Sequence, residues 1–96
     1  MPLYTLTCID KPGSLDLRMA TREAHLAYVR NLGDGLSLKL GGPFLDEAGQ
    51  MAGSLLVLEA PDRAAAQAFS AADPYARAGL FDSVEIREFR VTIGEL

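Results

Sequence analysis

The chain holds a single cysteine, a single histidine and no tryptophan. With only Cys8, no disulfide can close within the chain, which suits a reducing compartment. One histidine and one cysteine far apart in sequence give no recognised metal-ligand spacing, so no metal is expected. No stretch approaches the roughly 20 apolar residues that a bilayer span needs. The N-terminal MPLYTLTCIDKPG has no basic region, and Asp10 and Lys11 interrupt any apolar signal core. The expectation is a cytoplasmic protein with no membrane partner.

Positive charge is scarce too. Nine Lys and Arg stand against 13 Asp and Glu, a formal net charge of -4. The basic residues are scattered from Lys11 to Arg90 with no run of them, whereas nucleic-acid binders need a basic face to displace counterions from phosphates. Nucleic acid is therefore not an expected partner. Gly41-Gly42 is too short for a phosphate loop and matches neither the Walker nor the dinucleotide pattern, so no cofactor is expected.

What is present is ordinary globular composition: 49% hydrophobic and 23% charged in 96 residues, enough for one domain over 1–96. Residues 3–9 (LYTLTCI) read as a strand that ends at the turn cluster Asp10-Lys11-Pro12-Gly13. Leu26, Val29 and Leu32 recur at helical spacing and predict a first helix over Thr21–Leu32, with Thr21 as N-cap and Gly33 just past its end. A short extra turn from Ser14 is open. LSLKL at 36–40 alternates as a strand with one buried face, ended by Gly41-Gly42-Pro43. FLDEAGQMAG is a hairpin connection, with Gly49 or Gly53 available for positive φ. SLLVLEA is a strand with apolar residues on both faces, Leu55 and Val57 on one and Leu56 and Leu58 on the other. One layer of helices covers one sheet face, so the second calls for a partner subunit.

Pro61-Asp62 opens a second helix with a stripe at Ala65, Ala68, Phe69 and Ala72, and Asp73-Pro74 stops it. SVEIREFRVTI is the last strand; its apolar phase changes, which a bulge near Arg87-Glu88 or burial of both faces would explain. The order β-α-β-β-α-β predicts an α+β, ferredoxin-like sandwich, with an antiparallel sheet and both helices on one face.

His25 is the residue best suited to proton exchange near neutral pH. It reads either as a general acid–base in a cleft or as a helix histidine at the margin of the core. Arg22 and Tyr28 lie one turn away, and Arg18 joins that stripe only if the helix extends back to it. Asp73 either orients an imidazole or forms a turn before proline. Ser54 reads as a hydroxyl that bonds a ligand or the backbone, since MAGSLL lacks the nucleophile elbow. Tyr75, Phe44 and Phe81 wall a pocket or belong to the core or an interface.

In order along the chain, DKPGSLDLR, RxxHLAYV, GGPF, GSLLVLEA and ADPYARAGLFDSVEIREF make a set that resembles the YciI-like family. The family is part of the dimeric ferredoxin-like α/β-barrel group. The resemblance implies a homodimer paired through its sheets, and a cleft with the histidine of the HL motif, His25, and the aspartate of the DPY motif, Asp73. Ser54 of GSLL would join that pocket. The tail EFRVTIGEL departs from the pattern of many relatives. Activities associated with the family or its barrel relatives act on small cyclic or aromatic compounds by elimination, dehalogenation or isomerisation. The expectation is an enzyme of the lyase, isomerase or dehalogenase kind, with His25 and Asp73 catalytic and Ser54, Arg22 and Tyr75 binding substrate. The alternative is a non-catalytic dimeric module for a small ligand or a protein.

Overall fold

The computed structural model describes residues 1–33 and 35–96. The elements are β1 (Leu3–Asp10), α1 (Leu15–Arg30), β2 (Ser37–Leu45), β3 (Met51–Glu59), α2 (Arg63–Ala72), α3 (Pro74–Arg77) and β4 (Phe81–Phe89). The strands form a four-stranded sheet in the order β2-β3-β1-β4, and every neighbouring pair is antiparallel. This is the ferredoxin-like α+β arrangement, with a short third helix added.

Register sorts the side chains. Tyr4, Leu6 and Cys8 of β1 stand opposite Leu58, Leu56 and Ser54 of β3. All six are buried, on the face that α2 covers with Ala66 and Phe69. The stripe expected at Ala65, Ala68, Phe69 and Ala72 is therefore rotated: Ala68 and Ala72 are exposed, and Ala66, Phe69 and Ser70 point inward. Asp62 caps this helix by accepting a hydrogen bond of 2.8 Å from the Ala65 N–H.

Several boundaries differ from the sequence expectation; β3 begins at Met51 and β4 at Phe81, inside segments read as connections. Helix α1 begins at Leu15, so Thr21 is not its N-cap; the Thr21 hydroxyl donates to the Leu17 carbonyl inside the helix. The early turns are anchored by a buried arginine rather than by an apolar stripe, which is why hydrophobic spacing does not reveal them. Its other end is closed by Asn31, whose N–H bonds the Tyr28 carbonyl and whose side chain bonds the Ala27 carbonyl, whereas Gly33 does not take positive φ. Strand β2 runs through Gly41-Gly42-Pro43 to Leu45 instead of ending there, as an edge strand can with proline. Strand β4 stops at Phe89 because Phe89 already pairs with Leu3, the first residue of β1. No bulge lies near Arg87-Glu88; the irregularity in this pairing falls at Ile9/Asp10.

The other sheet face carries Leu55 and Val57 as expected, with Ile9, Leu40, Phe44 and Phe89 partly exposed around them. Gly49 takes the positive φ of the β2–β3 turn, whereas Gly53 is a buried strand residue. A Cβ on Gly53 would come 2.5 Å from the Cys8 carbonyl oxygen and 3.2 Å from Phe44. Because the first of these is backbone, Gly53→Ala should destabilise the protein by about 1–3 kcal/mol in urea denaturation, with secondary structure retained at low urea.

Candidate active site

Between α1 and the β2–β3 hairpin lies a cavity of about 640 Å³, a size typical of small-molecule sites. Its floor exists because β2 offers little side chain there: Gly41 and Pro43 pair with Leu56 and Ser54 on the helix-facing side of the sheet. Helix α1 supplies the roof with Arg18, Arg22, His25, Leu26, Val29 and Arg30. Ser54, Met51 and Leu56 come from β3, and Tyr75 closes one end.

Two buried polar pairs meet at Tyr75. In the first, His25 Nδ1 lies 2.9 Å from Asp73 Oδ1. The same carboxylate oxygen accepts the Tyr75 N–H at 2.9 Å and so caps α3. The turn-forming and imidazole-facing readings of Asp73 thus describe one atom. With its Nδ1–H donated to a carboxylate, a neutral imidazole keeps Nε2 as its acceptor, and His25 lines the cavity.

In the second pair, Arg18 donates from Nε to Asp10 Oδ2 at 2.7 Å and from Nη2 to Asp10 Oδ1 at 3.0 Å. Nη2 also donates to Ser54 Oγ at 2.8 Å. The Tyr75 ring is clamped between the two pairs, stacked on His25 at 4.1 Å between centroids and lying 4.6 Å below the Arg18 guanidinium carbon. Phe81 packs edge-on to Tyr75, with centroids 5.9 Å apart. Among the described residues every buried side-chain nitrogen and oxygen has a hydrogen-bond partner.

The electrostatics follow from this packing. Burial pushes the Tyr75 phenol above its usual range, opposed by the charges of Arg18 and Arg22, so it stays neutral. For Arg18, burial disfavours the charge, but the hydrogen bonds and charge of Asp10 outweigh it and the guanidinium is held more firmly protonated. The Cys8 thiol is pushed up to about 12, first by burial and then by Asp73, with Arg18 opposing. It is a core residue in the thiol form.

The residues singled out from sequence divide cleanly. His25, Ser54, Arg22 and Tyr75 line the cavity, and Asp73 stands directly behind His25. Phe44 lies on the opposite face of the sheet, and Phe81 supports Tyr75 without reaching the cavity. Sequence spacing does not single out the Asp10–Arg18 pair. Its signal was the phase of β1: Asp10 follows Tyr4, Leu6 and Cys8 on the helix-facing side, and a buried carboxylate demands a cation. Among the described residues, no three His, Cys, Asp or Glu side chains gather as a metal site would require. No helix of the described residues is long and apolar enough to cross a membrane.

Comparison with known proteins points to one family. The YCII-related domain matches residues 2–90. Protein YciI of Escherichia coli O6:H1 is 36% identical over 94 residues, covering 92% of this chain and 96% of that protein. Among solved structures, 5-chloro-2-hydroxyhydroquinone dehydrochlorinase (TftG) from Burkholderia phenoliruptrix AC1100, in complex with 2,5-dihydroxybenzoquinone, superposes with a TM-score of 0.81. It is 32% identical, covering 92% of this chain and 93% of that one. A putative antibiotic biosynthesis monooxygenase from Bacteroides thetaiotaomicron, at 16% identity and TM-score 0.61, shares the fold.

Because the folded state disfavours the Cys8 thiolate, it binds more protons than the unfolded state above the ordinary thiol range. That stabilisation is complete below about pH 9 and is lost as pH rises toward about 12. Urea titrations from pH 7 to 11 should show a steeper alkaline loss of stability in the wild type than in Cys8→Ala. Iodoacetamide at pH 8 should label Cys8 only once the protein unfolds.

Proposed function

The chain belongs to the YCII-related family, and on that premise we propose that it is an enzyme eliminating or isomerising small oxygenated ring compounds by acid–base chemistry. The observation that carries this reading is the buried contact of 2.9 Å between His25 Nδ1 and Asp73 Oδ1, at the wall of a cavity of small-molecule size. The similarity to a dehydrochlorinase at 32% identity supports the class of reaction.

In this reading Asp73 fixes the tautomer and orientation of His25, and Nε2 moves the proton. For a chlorinated polyhydroxy ring in its keto form, Nε2 takes a hydroxyl proton, the electron pair left behind becomes part of a new carbonyl, and the C–Cl bond breaks with its pair. Chloride leaves, and the imidazolium then returns the proton to water, so the net loss is HCl. For an isomerisation, the same group takes a proton from one atom and returns it to another. Asp73 stabilises the transient imidazolium without taking up the proton itself.

A positioned acid–base group contributes about 10²–10⁴-fold in rate. His25→Ala should therefore lower chloride release from 5-chloro-2-hydroxyhydroquinone, or turnover of a related ring found by screening, by about that factor, with Asp73→Asn also impaired. Thermal melts should show that His25→Ala remains folded. A His25→Ala protein as active as the wild type would sink the dyad, and the non-catalytic binding module would then take its place.

We also propose that the chain is a homodimer paired through the open sheet face. Leu40, Phe44, Ile9 and Phe89 expose apolar surface there beside Leu55 and Val57, a flat apolar face of the kind that partners cover. Light scattering after size exclusion should give twice the 10.3 kDa chain mass, and Leu40→Asp should shift it to the monomer. A wild-type mass of one chain at micromolar concentration would overturn the pairing.

A further inference from the structure

The Asp10–Arg18–Ser54 chain is not used by the proton transfer of the His25–Asp73 pair, yet it reaches the same cavity from the other side of Tyr75. Arg18 is 2% exposed and Ser54 3%, and both line the cavity. The Asp10 carboxylate takes Nε and Nη2 of Arg18 in a two-toothed grip, and Tyr75 lies under the guanidinium plane. The guanidinium is thereby fixed in position and in plane, and its second Nη2 hydrogen goes to Ser54 Oγ.

A serine hydroxyl can donate one hydrogen bond and accept two. Here its acceptor side is occupied by a permanently charged donor, and among the hydrogen bonds of the described residues the hydroxyl donates to none. Its hydrogen must turn away from Arg18. We propose that Ser54 is a specificity-determining donor for a ligand oxygen that carries negative charge or a carbonyl lone pair, and that Asp10 and Arg18 are positioning residues that impose this polarity. The inference rests on the reading of this cavity as the ligand site and adds the chemical class: a flat ring with an oxyanion or carbonyl, held across the cavity from His25.

The surroundings agree in sign. In a protein of net charge -4, the cavity is lined by Arg18, Arg22 and Arg30 and, among the described residues, by no acidic side chain. Leu26, Val29 and Leu56 give the ring an apolar wall. A donor-only group facing Ser54, such as an ammonium, would meet a hydroxyl hydrogen and a guanidinium, so the site rejects it.

The test is equilibrium binding of 2,5-dihydroxybenzoquinone, a ring acid with acceptor oxygens, followed by calorimetry on the full chain. Ser54→Ala should weaken binding roughly tenfold or more, as expected for a buried hydrogen bond to a charged group. Asp10→Asn should weaken it in the wild-type background and add little in the Ser54→Ala background, because both changes remove the same donor. A purely structural role for Asp10 would give additive losses, which would overturn the positioning claim. If Asp10→Asn does not fold, Arg18→Lys, which keeps the charge but loses the fork, takes its place in the cycle. Equal affinity of wild type and Ser54→Ala, or no binding to the wild type at millimolar probe, would overturn the subsite. Binding needs no turnover, so an inactive His25–Asp73 pair would leave this result readable by itself.

Discussion

A single carboxylate oxygen, Oδ1 of Asp73, holds the cavity end of the molecule together. It accepts the Tyr75 N–H, which starts the short helix α3, and it meets Nδ1 of His25, which belongs to α1. Residues 48 apart in sequence are thus tied through one buried atom. Once α3 is set, Tyr75 is carried to the place where its ring fits between the imidazole of His25 and the guanidinium of Arg18. A carboxylate in such a site loses its hydration, so its bonds must be recovered inside the protein. Asp73 recovers them by capping a helix and by orienting a histidine at once.

The second buried carboxylate obeys the same constraint with a different partner. Asp10 closes β1 and is neutralised by Arg18 from the first turns of α1. Burying such a pair does little for net stability, since desolvation offsets most of the attraction, but removing one partner leaves an unpaired charge and is costly. Its effect is geometric. Arg18 cannot leave Asp10, and so the beginning of α1 is pinned to the end of β1 without an apolar contact. That pinning also holds the roof of the cavity over a strand, β2, whose Gly41 and Pro43 leave the space beneath it open.

The element order is legible from hydrophobic pattern, although the α2 stripe is rotated from the expected one, and the polar contacts are not legible. The β-branched and aromatic content of LYTLTCI, the alternation of LSLKL and the doubly apolar run SLLVLEA mark three of the strands, and Leu55 and Leu56 fall on the two faces expected. Apolar spacing supports α1 only from Thr21, with a turn from Ser14 left open; the helix does start after Ser14, its first turns fastened by Arg18 rather than by leucines. Gly-Gly-Pro looked like an ending, but an edge strand tolerates a missing N–H on its open side, and the strand passes through it. In the candidate site, the residue types His25 and Asp73 stood out at once, whereas their contact depends on how two helices pack, which local spacing does not encode. Asp10 was hidden by its neighbours: beside Pro12-Gly13 an aspartate reads as turn chemistry, and only its parity with Cys8 places it inward.

The two polar pairs have opposite chemical characters, and Tyr75 keeps them apart. His25 can gain and lose a proton; Arg18 cannot, and its charge is held still by Asp10. A reaction that shifts a proton on a ring also moves negative charge onto an oxygen elsewhere on that ring. In the proposed reaction, His25 would move the proton while Ser54, held by Arg18, would donate to the ring oxygen. The Tyr75 phenol, kept neutral by burial, packs against both the imidazole and the guanidinium.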